Sequence, residues 1–181
     1  MIEKLFKITN SENLIIVNNG FLSLYNYKSK YKLLKTKAFI GKNGLTIKKK
    51  EGDGKTPKGI FKLGIAFGMH DIKIDKSMKY IKINKNLYWI DDVNSKYYNK
   101  LVDITKVEKD WNTAEHLIEY KNQYEYGIEI NTNKENIPGK GSAIFLHCTT
   151  GKPTMGCVAI EKEKMIELLE KINSKTVILI G

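Results

Sequence analysis

Ile144-Phe145-Leu146-His147-Cys148-Thr149-Thr150-Gly151-Lys152-Pro153-Thr154-Met155-Gly156-Cys157-Val158-Ala159-Ile160 is the most informative stretch of this chain. Two apolar segments, each of a length suited to a buried strand, flank a polar loop holding Gly151 and Pro153. Such a loop can bring His147, at the end of the first segment, toward Cys157, at the start of the second. A thiol attacks carbonyls once a nearby base takes its proton, and histidine is the usual partner. Gly156 permits a tight turn before the cysteine and can aim main-chain N–H groups at a developing oxyanion. The residue types also allow duller readings. Cys157 can be a small buried hydrophobe and His147 a satisfied strand-end histidine. A metal site from His147, Cys148, Cys157 and His116 is a further option, with neither C-x-x-C nor H-x-x-x-H spacing behind it. Two cysteines cannot make a disulfide framework; a single Cys148–Cys157 bridge is sterically conceivable and would block the nucleophile.

Outward from this stretch the chain reads mostly as strands. Leu14–Val17 and Phe21–Tyr27 flank Asn18-Asn19-Gly20, a strong hairpin signal. Further strands are expected over Tyr31–Ile40, Gly59–Phe67, Tyr80–Ile83, Tyr88–Ile90, Tyr124–Ile130, Ala143–His147 and Val177–Ile180. Asp91–Asn99 and Asn131–Gly141 read as loops, and Thr113–Tyr120 as a short helix with Ala114, Leu117 and Ile118 at helical spacing. Glu161–Asn173 is the clearest helix, its apolar face made by Met165, Leu168, Leu169 and Ile172. With 181 residues, no repeat and no linker, the expectation is one domain over 1–181, with N-terminal strands in 1–30 and a core from about 31 to 181. The fold class is mostly β with one or two helices, a sandwich or partly open barrel.

Composition removes several function classes. The longest apolar runs, such as Leu14–Val17, fall far short of a membrane span. Met1 to Asn10 is too polar for the apolar region of a signal peptide, so the chain is either cytosolic or exported by a signal outside this sequence. Net charge is +11, and all 31 basic residues are lysine. Without arginine the surface attracts polyanions but reads bases poorly, so nucleic acid is not an expected partner. Lysine abundance also accompanies Asn, Ile and Tyr, as in proteins of AT-rich genomes. Gly54-Lys55-Thr56 hints at a phosphate-binding loop, yet position 49 is lysine where glycine is required and Pro57 follows where a helix would begin; a turn explains it.

Four segments together resemble the L,D-transpeptidase (YkuD-like) catalytic domain family. Glu51-Gly-Asp-Gly-Lys-Thr-Pro-Lys-Gly-Ile-Phe-Lys-Leu63 is similar to its "DGKTP-x-G-x-F" turn and strand. Trp89 to Ser95 with Tyr98-Asn99, and Trp111 to Leu117 with Ala114-Glu115-His116, resemble segments of one branch. Ser142 to His147 followed by Thr154-Met-Gly-Cys157 matches the signature of a histidine, a loop and Ser/Thr-x-Gly-Cys.

The resemblance implies a β-rich cysteine acyltransferase, with Cys157 as nucleophile, His147 as proton donor and acceptor, and the Gly156–Cys157 backbone in an oxyanion hole. It also implies peptidoglycan stem tetrapeptides as substrates. The acyl group passes to a side-chain amine, or to water in a carboxypeptidase, and the protein works at the cell envelope. Thr154, Met155, His116, Glu115, Asp92, Tyr98 and Lys152 are weaker substrate-binding candidates. Met155 stands where many relatives have histidine and Ala159 where many have arginine; Lys152 offers a substitute charge, and the loop between His147 and Cys157 implies a reduced lid. His147 is expected to lower the Cys157 pKa. No cofactor and no metal are expected. A non-catalytic module binding anionic wall polymers through its lysines is the competing class, and a papain-like peptidase is disfavoured because there the cysteine precedes its histidine.

Overall fold

The computed structural model describes residues 2–29 and 32–181. Helix α1 (Ile2–Thr9) leads into a hairpin of β1 (Asn13–Asn18) and β2 (Phe21–Asn26), then β3 (Lys32–Lys37) and the short β4 (Leu45–Thr46) and β5 (Thr56–Pro57). The long β6 (Gly59–Gly68) is followed by β7 (Tyr80–Lys82), β8 (Leu87–Ile90), β9 (Leu101–Asp103), β10 (Ala114–His116) and β11 (Tyr126–Ile130). The chain ends with β12 (Phe145–Cys148), β13 (Val158–Ile160), helix α2 (Lys162–Lys171) and β14 (Val177–Ile180). Short 3-10 turns occupy Leu117–Glu119 and Gln123–Glu125.

The principal sheet runs β13-β12-β11-β6-β14-β1-β2-β3, with β7 beside β6. Just past β3, Phe39 exchanges two main-chain hydrogen bonds of 2.9 Å with Ala159 of β13, so the two edges meet and the sheet curls into a nearly closed barrel. Closure satisfies edge groups that would otherwise invite pairing with another chain. The expected Asn18-Asn19-Gly20 hairpin is present, with Asn19 at φ 49° and Gly20 at φ 75°, the left-handed pair that a two-residue turn requires. α2 seats Met165, Leu168, Leu169 and Ile172 in the barrel core, as its apolar face predicts.

Two expectations are corrected. The first thirty residues do not begin with a strand: Ile2–Thr9 is a helix whose Phe6 packs on Leu14 and Val177. Thr113–Tyr120 is not a helix but the strand β10, antiparallel to β8, followed by one 3-10 turn. The β-sheet partner overrides a helical spacing that only three apolar residues supported. Of the expected strand Tyr31–Ile40, Lys32–Lys37 is observed; Tyr31 lies outside the described residues.

Strand alternation on β12 feeds two of the hydrophobic clusters. On β12, Leu146 and Cys148 enter the barrel interior, whereas Phe145 belongs to a second cluster with Phe67, Trp89, Leu117, Tyr124 and Ala143. The Phe145 ring meets Phe67, Trp89 and Tyr124 edge-on, at centroid distances of 5.0, 4.8 and 5.5 Å. This aromatic floor supports the candidate site.

Candidate active site

β12 and β13 are parallel, with Leu146 opposite Val158 and His147 opposite Ala159. Cys157 therefore lies beside the beginning of β12, and its Sγ accepts from Phe145 N–H and donates to Ala143 O, both at 3.3 Å. His147 follows on the same strand face one pleat repeat further, about 6.6 Å along the strand.

The turn carrying the cysteine is fixed by its neighbours. Gly156 has φ 147°, and a Cβ there would meet Lys55 O at 3.1 Å and Ile144 Cδ1 at 3.2 Å. The Gly156 N–H is donated to Thr154 Oγ1 (3.1 Å), and that hydroxyl donates to Cys157 O (2.6 Å). Thr56 Oγ1 donates to the same carbonyl (3.2 Å) and accepts from Gly41 N–H (2.7 Å). The Asp-Gly-Lys-Thr-Pro segment is thus bound to the cysteine turn although 101 positions separate Thr56 from Cys157.

The His147 Nδ1 lies 2.8 Å from Cys148 O. A carbonyl only accepts, so Nδ1 carries the proton of the neutral ring and Nε2 is left basic. Burial holds the imidazole below its ordinary pKa. Burial, followed by the charge of Glu115, pushes the Cys157 thiol up to about 12. Both shifts favour the neutral thiol and the neutral imidazole, and the expectation that His147 would lower the Cys157 pKa is corrected: burial is the largest influence on the sulfur, and His147 is not among the groups that lower it.

Two cavities adjoin Cys157. The first, about 180 Å³, is lined by Lys49, Glu51, Asp91, Glu115, Ser142 and Gly156. The second, about 210 Å³, is lined by His147, Glu115, Tyr120, Gln123, Tyr124 and Lys152. Met155, 61% exposed, borders both. Glu115 also borders both, and its Oε2 accepts from the Tyr124 hydroxyl. Among the described residues no group of three or more His, Cys, Asp or Glu side chains is clustered tightly enough to hold a metal ion. Both cysteines are free.

A family model described as the YkuD L,D-transpeptidase catalytic domain matches residues 12–180. The chain belongs to that family. A solved structure of a cysteine-to-serine mutant of the Enterococcus faecium L,D-transpeptidase is similar at 14% identity and a TM-score of 0.43, over 94% of this chain. The chain spans about half, 49%, of that structure's length. No curated protein matches the chain. Among the described residues no helix is long and apolar enough to cross a membrane.

Within this L,D-transpeptidase domain the candidates from the sequence are placed as follows. Cys157, Gly156, His147, Thr154, Met155, Lys152 and Glu115 all border a cavity. The Thr154 hydroxyl, however, is committed to the cysteine turn. His116 borders neither cavity: it stacks on Tyr88 at 4.1 Å, with Nδ1 3.0 Å from Glu119 Oε1 and Nε2 2.8 Å from Lys85 O. Asp92 turns away as well, accepting from Asn94 N–H (2.9 Å) and Asn112 N–H (2.8 Å). Those hydrogen bonds hold its carboxyl below the ordinary range. Tyr98 is buried behind the first cavity and donates to Glu51 Oε2.

Sequence reasoning missed Lys49, Glu51, Asp91, Tyr120, Gln123 and Tyr124 as lining residues. Glu51 opens the Glu51–Leu63 segment that resembles the family, and Asp91 adjoins the candidate Asp92, so position in the sequence could have pointed to both. Asn99, read only as part of a family segment, organises the region: its Oδ1 accepts from Ala143 N–H (3.1 Å) and Trp89 Nε1 (3.2 Å).

Proposed function

We propose that this domain is a cysteine acyltransferase that cleaves the L,D bond before the terminal D-alanine of a peptidoglycan stem tetrapeptide and passes the acyl group to an amine. The observation carrying this reading is the position of Cys157 where two cavities meet, one bordered by His147, in a chain of the L,D-transpeptidase family.

Because thiol and imidazole rest neutral, attack and proton transfer run together. Sγ adds to the carbonyl carbon as its proton passes to His147 Nε2. The oxyanion is met at the Gly156–Cys157 turn, where Cys157 N–H has no acceptor among the described residues while Gly156 N–H is already donated to Thr154. The imidazolium then protonates the leaving nitrogen of D-alanine, and the tetrahedral intermediate collapses to a thioester on Cys157. The Nδ1 bond to Cys148 O keeps the ring in the tautomer this needs. Lys152, bordering the cavity that also holds His147, supplies a point charge for the D-alanine carboxylate in place of the arginine that relatives carry at the position of Ala159. Since such substrates lie outside the cytoplasmic membrane, we assign the protein to the cell envelope.

Mass spectrometry of a disaccharide-tetrapeptide incubated with the protein and with Cys157→Ala tests this. Loss of D-alanine by the parent alone is expected, with cross-linked dimers as product. Bare tripeptide in their place would indicate an L,D-carboxypeptidase. Unchanged tetrapeptide would sink the muropeptide assignment and leave salt-sensitive binding of anionic wall polymers as the competing role.

A further inference from the structure

Among the described residues Glu115 is the one carboxylate that borders both cavities, and the acylation step gives it no task. One of its oxygens accepts from Tyr124; the other has no hydrogen-bond partner among the described residues. Asp91, across the first cavity, has its Oδ1 buried with no partner. The third carboxylate, Glu51, is held by Tyr98 and by Ser142 Oγ (2.8 Å). The cation lining this cavity, Lys49, is engaged by Asp53 outside it. The lining of this cavity therefore carries three carboxylates, Glu115 keeps one oxygen without a donor, and the lining lysine is already paired. An anionic group is repelled there, and a single compact cation is matched. The three do not converge closely enough for a metal ion, whereas an alkylammonium brings its own donors and spans such a gap.

We infer that the first cavity receives the alkylammonium of the acyl acceptor and that Glu115 takes its proton. This rests on the acyl-transfer reading above, which it extends to the second half-reaction. An ammonium has no lone pair and cannot attack. Loss of one proton to the Glu115 carboxylate gives the free amine; its nitrogen bonds to the thioester carbon, and the C–S bond breaks with its electron pair going to sulfur. The second amine proton passes to His147 and on to the sulfur, restoring the thiol. The proton on Glu115 leaves to water through the cavity, so the cycle balances. The groups facing Glu115 suit this exchange. Burial, opposed by the Tyr124 hydroxyl and reinforced by Asp91 and Glu51, raises its pKa to about 7. Cys157 on both cavities, Lys49 on the first, and Tyr120, His147 and Lys152 on the second are the other titratable groups lining them.

Two measurements test it. In Cys157→Ala, where no chemistry runs, calorimetry at pH 8 compares a stem tripeptide bearing a free side-chain amine with its N-acetylated form. The free amine is expected to bind roughly tenfold tighter or better, and Glu115→Gln to erase the difference. Equal binding of the two peptides overturns the subsite. In the active protein, where Glu115 also acts on the Cys157 thiol and so on D-alanine release, the readout is the partition of the acyl-enzyme: Glu115→Gln is expected to lower the dimer-to-tripeptide ratio roughly 100-fold, whatever it does to the rate of release. An unchanged ratio overturns the proton-transfer role. If Glu115→Gln fails to fold, Tyr124→Phe moves the pH midpoint of dimer formation upward, and an unmoved midpoint counts against the role. A parent protein that releases no D-alanine yet prefers the free amine refutes the donor chemistry and leaves the subsite standing.

Discussion

Single residues at this site owe their meaning to the neighbours that limit them. Gly156 has a backbone that an L side chain rarely adopts, and any Cβ would press on Lys55 O and Ile144. Gly156→Ala is expected to cost roughly 1–3 kcal/mol of stability and, by displacing Sγ, to reduce D-alanine release about 100-fold or more. Denaturant melts and single-turnover rates on the same sample separate the two effects, and a fully active, stable variant would refute the strained turn. Cys148 shows the converse. Sequence reasoning found no role for this thiol beside the base, and strand alternation provides the reason: it enters the barrel core, its Sγ 3.5 Å from Tyr126 O, and burial pushes its pKa up to about 11. It is packing. Cys157 and His147 were legible as candidates because both residue types announce their chemistry, and the fold sets both on one cavity. Their neutral resting state was not legible, since desolvation depends on what folds over them.

At the level of elements, the misread segment around β10 decides the acidic cavity. Taken as a helix, Glu115 and His116 fall on neighbouring positions of one surface; as a strand they point to opposite faces. Glu115, opposite Trp89, turns to the cysteine, and His116, opposite Tyr88, stacks outward. A similar choice separates Asp91 from Asp92 just past β8. Periodicity over three residues cannot distinguish these cases, because the deciding partner strand is distant in sequence. β5 makes the same point across the molecule: Thr56, fully buried, joins Gly41 N–H to Cys157 O. Thr56→Val keeps the shape and removes the hydroxyl. It is expected to destabilise by about 1–3 kcal/mol and to slow acylation, whereas Thr56→Ser retains most of both. Equal behaviour of the two variants in melting and acylation assays would show that packing alone holds the turn.

For the whole molecule, the burial of Glu115 predicts how stability follows pH. Its pKa is raised in the fold from an ordinary 4.5 to about 7. The native state thus binds more protons than the unfolded chain between these values, and stability falls as pH rises through them. Glu115→Gln is expected to flatten that slope and to gain up to roughly 3 kcal/mol over the parent at pH 8, with little difference at pH 4. Urea unfolding at both pH values measures it, and parallel parent and variant curves would refute it. The sequence alone determined the β-rich class, the first hairpin and α2 with its core face, and it singled out Cys157 and His147 as candidates, because each rests on local spacing or on residue chemistry. Only the tertiary structure decided the closure of the barrel at Phe39 and Ala159, the faces taken by Glu115 and His116, and the gathering of Lys49, Glu51 and Asp91 around the sulfur. Those follow from strand pairing and desolvation, which depend on groups far apart along the chain and acquire values only when the sheet has formed.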